Sequence, residues 1–377
     1  MIIMKTEKNE LIKKAKRIVI KIGTSILTDI IDGKPVVTTK NIEPIINSII
    51  PLMKNKTFTI VSSGAIGFGM AELGLNSKPK ELSMKQAAAA IGQNKLMQMY
   101  DCIFNKRDVT VAQILLTQTG IMQRSRYLNA INTLNSLFKL KVVPIINEND
   151  TVAVEEIKFG DNDKLAAMVS SMIEADLLIL LTNIDGLLED VSKPETLISD
   201  IRDITSDILK LCGAAGKSTT TGGMKAKLAA ADICMSSGIP MIICNTRPDS
   251  ISKIFDATFK GTFFYPKKKV IPPKKRWIKF NLKPRGRIVV DTGAEKAVLN
   301  HKSLLPSGIK SFEGRFDVHD CVAVYNLSGE KIAVGLINFD DNFLKKIVGL
   351  KMSELKEKYG AESAREIIHI DNMALME

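Results

Sequence analysis

Residues 147–163 read NENDTVAVEEIKFGDND, a polar string that gathers Asp150, Asp161, Asn162 and Asp163 within a few positions. Two lysines stand beside glycine turns elsewhere in the chain. Lys21 opens Lys21-Ile22-Gly23-Thr24-Ser25, and Lys227 follows Gly223 by four residues in Thr221-Gly222-Gly223-Met224-Lys225-Ala226-Lys227. Ser62-Ser63-Gly64-Ala65 adds hydroxyls and turn amides. Such groups suit an anion: glycine turns bring backbone N–H groups close, and an ammonium supplies a point charge. The three histidines, His301, His319 and His369, all lie late in the chain, so reactions that take a proton from a weak acid are poorly served here. Attack by a carboxylate on a phosphoryl group is well served, because a glutamate-type acid, with a reference pKa of about 4.3, is already ionised at pH 7. Its obstacle is the meeting of two anions, which lysines, Mg²⁺ and helix-end amides relieve. The pattern points to phosphoryl transfer onto an acidic substrate and leaves the substrate open.

Plainer readings stand beside each motif. The 147–163 string also reads as a solvated loop with Asp161 or Asn162 capping a helix, and Lys21 as a strand-end lysine that snorkels to water. Two resemblances fail on spacing. Gly64, Gly67 and Gly69 run in the wrong order for a dinucleotide fingerprint, and Gly216-Lys217-Ser218 imitates a P-loop but has Leu211 where the first glycine belongs.

The elements that must position these groups follow from periodicity. Arg17–Ile22, Thr57–Val61, Val109–Leu115, Lys141–Ile146, Leu177–Leu181 and 240–244 are short, apolar and rich in β-branched residues, the mark of buried strands. Helical spacing fills roughly 40–53, 84–104, 125–138, the stretch from Leu165 to Met172, and 221–236. The Ala- and Met-rich 84–104 helix reads as core packing. Alternation of continuous apolar strands with helices predicts a three-layer α/β domain, an open and mainly parallel sheet covered on both faces, with ligands outside the carboxyl ends of its strands. Beyond three prolines among lysines the texture changes to short strands at 287–291, 321–327 and 331–337 with one or two helices such as 341–358, a small, mostly β domain. The expected division is 1–265, a basic linker 266–276, and 277–377.

At 377 residues two domains are natural, and 45% hydrophobic with 25% charged residues describes an ordinary globular chain. The N-terminal charges do not fit a signal peptide, and Leu177–Leu181 is far too short to span a bilayer, so a cytoplasmic protein is expected. Five scattered cysteines without a CxxC pair predict reduced thiols, and no metal site made of protein side chains is expected. The net charge of +12 is concentrated: residues 267–287 hold ten Lys or Arg and no acid, whereas 288–377 is net acidic. That belt, with Trp277 as a stacking surface, supports a rival reading in which the second domain binds RNA. A linker with a solvated edge is the plainer account.

The strand-Lys21-x-Gly23-Thr24-Ser25 turn, Ser62-Ser63-Gly64-Ala65, the 147–163 string and Thr221-Gly222-Gly223-Met224 together resemble the amino acid kinase family. NEND joined to EIKFGDND, followed by a C-terminal β module, is similar to its glutamate 5-kinases that carry a PUA domain, over nearly the whole chain. The resemblance implies the amino acid kinase fold and transfer of phosphate from ATP, with Mg²⁺, to L-glutamate, giving L-glutamyl 5-phosphate, the first step of proline biosynthesis. It implies that Lys21 and Lys227 stabilise the transferring phosphoryl group while Asp163 holds them in place. Ser63, Asp150 and Asn162 would bind glutamate, and Lys21, Thr182, Asn183 and the turn Thr221-Gly222-Gly223-Met224-Lys225-Ala226-Lys227 would bind the nucleotide. Feedback inhibition by proline, a homo-oligomer and hand-over of the product to a glutamyl phosphate reductase are implied as well. A kinase for a blocked substrate such as N-acetylglutamate would need no partner for an ammonium, which Asp150 argues against. The chain departs from the family's pattern at Thr219-Thr220, where glycine is common, and at Asn183, where aspartate is often seen.

Overall fold

The computed structural model describes residues 2–31, 34–152, 162–190, 192–211 and 221–376. They form two compact units, Met1–Val270 and Ile271–Glu377. The first is built on strands β1 (Arg17–Ile22), β2 (Thr57–Ser62), β3 (Val111–Leu116), β4 (Val143–Glu148), β5 (Leu177–Thr182), β6 (Asp200–Ile201), β7 (Met241–Asn245) and β8 (Gly261–Phe264). They lie in the order β3-β4-β2-β1-β5-β7-β8-β6. Every pairing from β3 to β7 is parallel, and β8 joins antiparallel to β7. This edge was not read from the sequence, because Gly261–Phe264 is four residues long and merges into the turn that follows. Ile18, Ile20, Ile60, Ile179 and Leu181 are at most 1% exposed. Burying each such side chain contributes about 2 kcal/mol, and their neighbours Val19, Val61, Leu178 and Leu180 are equally buried, so both faces of the sheet are covered.

The chain moves from β1 outward through β2 and β3, returns to β4, then crosses to β5 on the other side of β1. That reversal leaves a crevice at the carboxyl ends of β2, β1 and β5, where open α/β sheets hold ligands. Four helices border it: α1 (Ala65–Glu72), α2 (Leu82–Asn105), α3 (Asn162–Met172) and α4 (Thr221–Ser236). Gly64 enters α1 with φ of +104°, a left-handed conformation that a side chain would strain. Helices α1 and α2 touch almost backbone to backbone. A Cβ on Gly92 would stand 1.8 Å from the carbonyl oxygen of Ala65, and one on Gly69 equally close to that of Ala88.

The second unit is a five-stranded sheet of β9 (Gly286–Val290), β10 (Ile309–Gly314), β11 (Cys321–Tyr325), β12 (Lys331–Leu336) and β13 (Met373–Leu375), ordered β10-β9-β11-β12-β13. Ile288, Val322, Val324, Leu344 and Leu355 share its core. The region 341–358, where one or two helices are expected, holds two, Asp341–Ile347 and Met352–Tyr359, and between them Gly349 turns the chain at φ of +80°. Residues Pro273–Arg276 are helical, with proline preorganised at the first position, and continue into the wider turn Trp277–Asn281. Trp277 is only 5% exposed, so it packs into this unit and is not a platform for a base. Among the described residues no helix is long and apolar enough to cross a membrane.

Replacing Gly92 by alanine forces α1 and α2 apart and lowers stability by roughly 3 kcal/mol. A urea unfolding curve reads this as a lower midpoint, and an unchanged midpoint would contradict the close approach.

Candidate active site

Lys21 is the penultimate residue of β1, paired in register with Val61 of β2 and Leu180 of β5. Its side chain therefore leaves the sheet beside the Gly23 turn. The missing Cβ of Gly23 would lie 3.7 Å from the Lys21 ammonium nitrogen, so this glycine leaves open space next to the charge. Helix α3 packs on β1 and places Asp163 in its first turn, where a carboxylate meets the positive end of the helix dipole. Helix α4 packs against α3 and brings Lys227 to the same place.

The three side chains meet. Lys21 Nζ lies 2.7 Å from Asp163 Oδ1, and Lys227 Nζ lies 2.7 Å from Asp163 Oδ2. Asp163 is 1% exposed, and the lysine side chains are about 12% exposed. Burial opposes ionisation of Asp163, but the ammonium groups of Lys21 and Lys227 outweigh it and hold the carboxyl below the usual carboxylate range. One carboxylate between two ammonium groups leaves net positive charge at the mouth of the crevice. A carboxylate with both oxygens occupied does not accept a proton from a substrate. It holds two cations at a fixed spacing.

Beside this triad lies a network of amides. The side-chain nitrogen of Asn162 is 2.7 Å from the Ser62 carbonyl, 2.9 Å from Ser63 Oγ and 2.9 Å from Asn147 Oδ1. Two hydrogens are thus shared among three acceptors. Asn162 is the first residue of α3, and it reaches back to the end of β2 through its nitrogen, so the helix-cap reading does not describe what its Nδ2 does. Asp161 lies outside the described residues. Because Ser63 Oγ accepts from Asn162, its own hydrogen is turned elsewhere and is available to donate. Ser62, expected from sequence to offer its hydroxyl to an anion, does not: it is fully buried and its Oγ bonds the Tyr100 hydroxyl at 2.9 Å. Burial raises the Tyr100 pKa well above normal, so that hydroxyl is neutral.

Asp150 follows β4 by two residues. Burial pushes its pKa up to about 6, with the Lys78 ammonium pulling the other way. Thr182 ends β5, next to the Gly23 turn by register, with Asn183 exposed beyond it. Thr221 to Lys227 form the first two turns of α4, with Met224 and Ala226 half-buried and Lys225 exposed. The departures at Thr219-Thr220 lie outside the described residues. The structure brings Lys21, Asp163 and Lys227 into direct contact, and Ser63 and Asn162 with each other. Asp150, Thr182 and Asn183 stand at neighbouring strand ends without a direct bond to the triad among the described residues. Sequence reasoning missed Gln93, whose Oε1 accepts from Asn147 Nδ2 at 2.8 Å. It sits in an alanine-rich helix where one polar residue carries no periodic signal. Lys78 was missed as well, since a lysine in a short loop has nothing in sequence to tie it to Asp150.

Comparison with known proteins places the chain in a family. Residues 16–245 match the model of the amino acid kinase family, and 286–359 match that of the PUA domain. Glutamate 5-kinase of Caldanaerobacter subterraneus is 46% identical, with 96% of this chain and 98% of the relative covered. That of Carboxydothermus hydrogenoformans is 43% identical over 98% of this chain and 100% of the relative, and that of Nostoc punctiforme 42% over 96% and 100%. Among solved structures, carbamate kinase from Giardia lamblia bound to AMP-PNP is 15% identical with a TM-score of 0.50, covering 68% of this chain and all of that one. This last likeness speaks to the fold alone.

Asp163→Asn leaves two ammonium groups facing each other without a counter-charge. Loss of about 3 kcal/mol at pH 7 is expected from chemical unfolding. Because the folded-state pKa of Asp163 is depressed, its stabilisation is complete above the unfolded value of about 3.9 and disappears as pH falls through the lower folded value. The gap between wild type and variant should therefore close in acid. A gap that persists unchanged at the lowest pH would contradict the ion triad as its source.

Proposed function

This chain belongs to the amino acid kinase family, in its glutamate 5-kinase branch, and on that premise we propose that it transfers the γ-phosphoryl group of ATP to the side-chain carboxylate of L-glutamate. One oxygen of that carboxylate attacks the γ-phosphorus, the bond from the γ-phosphorus to the β,γ-bridging oxygen breaks, and ADP leaves. The product is L-glutamyl 5-phosphate, and the reaction is the first step of proline biosynthesis. No general base is required, because the nucleophile is ionised at neutral pH.

The observation that carries this reading is the bridge of Lys21 and Lys227 through Asp163. Transfer between anions is limited by charge, and two ammonium groups held at fixed spacing stabilise the phosphoryl oxygens as charge shifts toward the bridging oxygen. Preorganisation matters because free lysine side chains would have to be ordered during the reaction. Both oxygens of Asp163 are engaged, so Mg²⁺ enters in this reading on the phosphates of the nucleotide, where it supplies further positive charge. Ser63 donates its hydroxyl to the substrate's carboxylate end, Asn162 lines that end of the pocket and holds the Ser63 hydroxyl, and Asp150 takes the ammonium group. Thr182, Asn183 and the 221–227 turn hold the nucleotide, the helix start offering N–H groups to phosphate. In the same reading the enzyme works in the cytoplasm as a homo-oligomer, responds to proline by feedback inhibition and passes its labile acyl phosphate to a glutamyl phosphate reductase.

Incubation with ATP, Mg²⁺ and hydroxylamine converts an acyl phosphate to a measurable hydroxamate. L-Glutamate should give product, whereas L-aspartate and N-acetyl-L-glutamate should not. Product from N-acetyl-L-glutamate alone would show that Asp150 does not hold an ammonium group. Asp150 also sets a pH dependence: protonation removes its charge, so KM for L-glutamate should rise as pH falls through about 6. A KM that is flat from pH 8 to 5 would count against this role.

A further inference from the structure

Gln93 lies on α2 immediately after Gly92, whose contact with Ala65 fixes the helix backbone. The residue is only 9% exposed, and its Nε2 is buried. The orientation of its amide follows from a chain of donors and acceptors. The Glu148 backbone N–H can only donate, and it donates to Asn147 Oδ1 at 2.8 Å. Asn147 must therefore turn its nitrogen the other way, to Gln93 Oε1 at 2.8 Å. Gln93 must in turn face Asn147 with its oxygen, and its Nε2 has no hydrogen-bond partner among the described residues. At the other end, Asn147 Oδ1 receives Asn162 Nδ2, which also reaches Ser63 Oγ.

A buried donor without a partner is unfavourable, and an apolar side chain of similar shape would avoid it. Stability therefore does not account for glutamine here. We infer that Gln93 is a positioning residue of the glutamate pocket, acting through Asn147 and Asn162 to turn the Ser63 hydroxyl hydrogen toward the substrate. This rests on the proposed glutamate kinase reading and extends it to a residue that touches neither the substrate nor the ion triad. With Gln93 Oε1 removed, the Asn147 amide loses the partner that holds its nitrogen. Asn162 and Ser63 then sample orientations that no longer present a donor to a carboxylate.

The test compares Gln93→Met and Gln93→Glu in the full-length protein. Methionine keeps the length and removes the acceptor. Glutamate keeps the acceptor but adds negative charge near an anionic substrate. In steady-state kinetics, Gln93→Met should raise KM for L-glutamate roughly tenfold or more. KM for ATP should stay within about twofold and Tm within about 2 °C, because one unpartnered group replaces another. Gln93→Glu should bind L-glutamate better than Gln93→Met despite its charge, a ranking that only the acceptor role produces. A wild-type KM in Gln93→Met overturns the inference, as does a Gln93→Glu variant no better than Gln93→Met. A rise in both KM values with a lowered Tm overturns it too, by showing a packing role. If the wild type makes no hydroxamate from L-glutamate, the reading of the site and this inference fall together. An active wild type with unaffected Gln93 variants removes the inference alone.

Discussion

A single buried carboxylate between two lysines governs this site. Asp163 would be unfavourable at 1% exposure without its partners, and each lysine would be mobile without Asp163. Each partner therefore constrains the others, and the result is positive charge fixed in space before any substrate arrives. That suits a reaction whose difficulty is repulsion between anions. It is poorly suited to acid–base work, since every atom of the bridging carboxylate that could move a proton is already engaged.

The surrounding fold serves to bring three distant pieces of chain to one point. Lys21 comes from the end of the central strand, Asp163 from the start of the helix packed over it, and Lys227 from the second turn of the neighbouring helix. Parallel pairing of β2, β1 and β5 aligns their carboxyl ends, so Ser63, the Gly23 turn and Thr182 stand side by side. The backbone contact of α1 with α2 at Gly69 and Gly92 then fixes where Gln93 and the amide network lie. A hydroxyl facing the crevice and a hydroxyl facing the core sit on consecutive residues, Ser63 and Ser62, because successive side chains at a strand end point to opposite sides.

Much of this was legible in the sequence for identifiable reasons. Continuous apolar strands such as Leu177–Leu181 declare a buried parallel sheet, and polar residues clustered at their ends declare its crevice. The lysines were legible because each stands at a glycine turn, and Asp163 because its string is dense in amides and acids. What stayed hidden depends on contacts between distant segments. The β8 edge is short and locally indistinct. The break between Asp341–Ile347 and Met352–Tyr359 falls at one glycine, Gly349. Trp277 among lysines looked like a surface aromatic, yet helix formation from Pro273 turns it into the core. Gln93 and Asn147 are defined by which atom each presents to the other, a property that no spacing along the chain encodes.

The most direct measurement is the rate of the chemical step in a single turnover, followed by rapid quench with ATP, Mg²⁺ and L-glutamate, for wild type and Asp163→Asn. If Asp163 works by holding Lys21 and Lys227 against the transferring group, phosphoryl transfer slows roughly 100-fold or more, while the L-glutamate concentration for half-maximal rate stays within about threefold. An unchanged chemical step, with the loss confined to glutamate binding, would contradict the account. Asp163 would then belong to the substrate pocket, and the fixed pair of lysines would not be the source of catalysis.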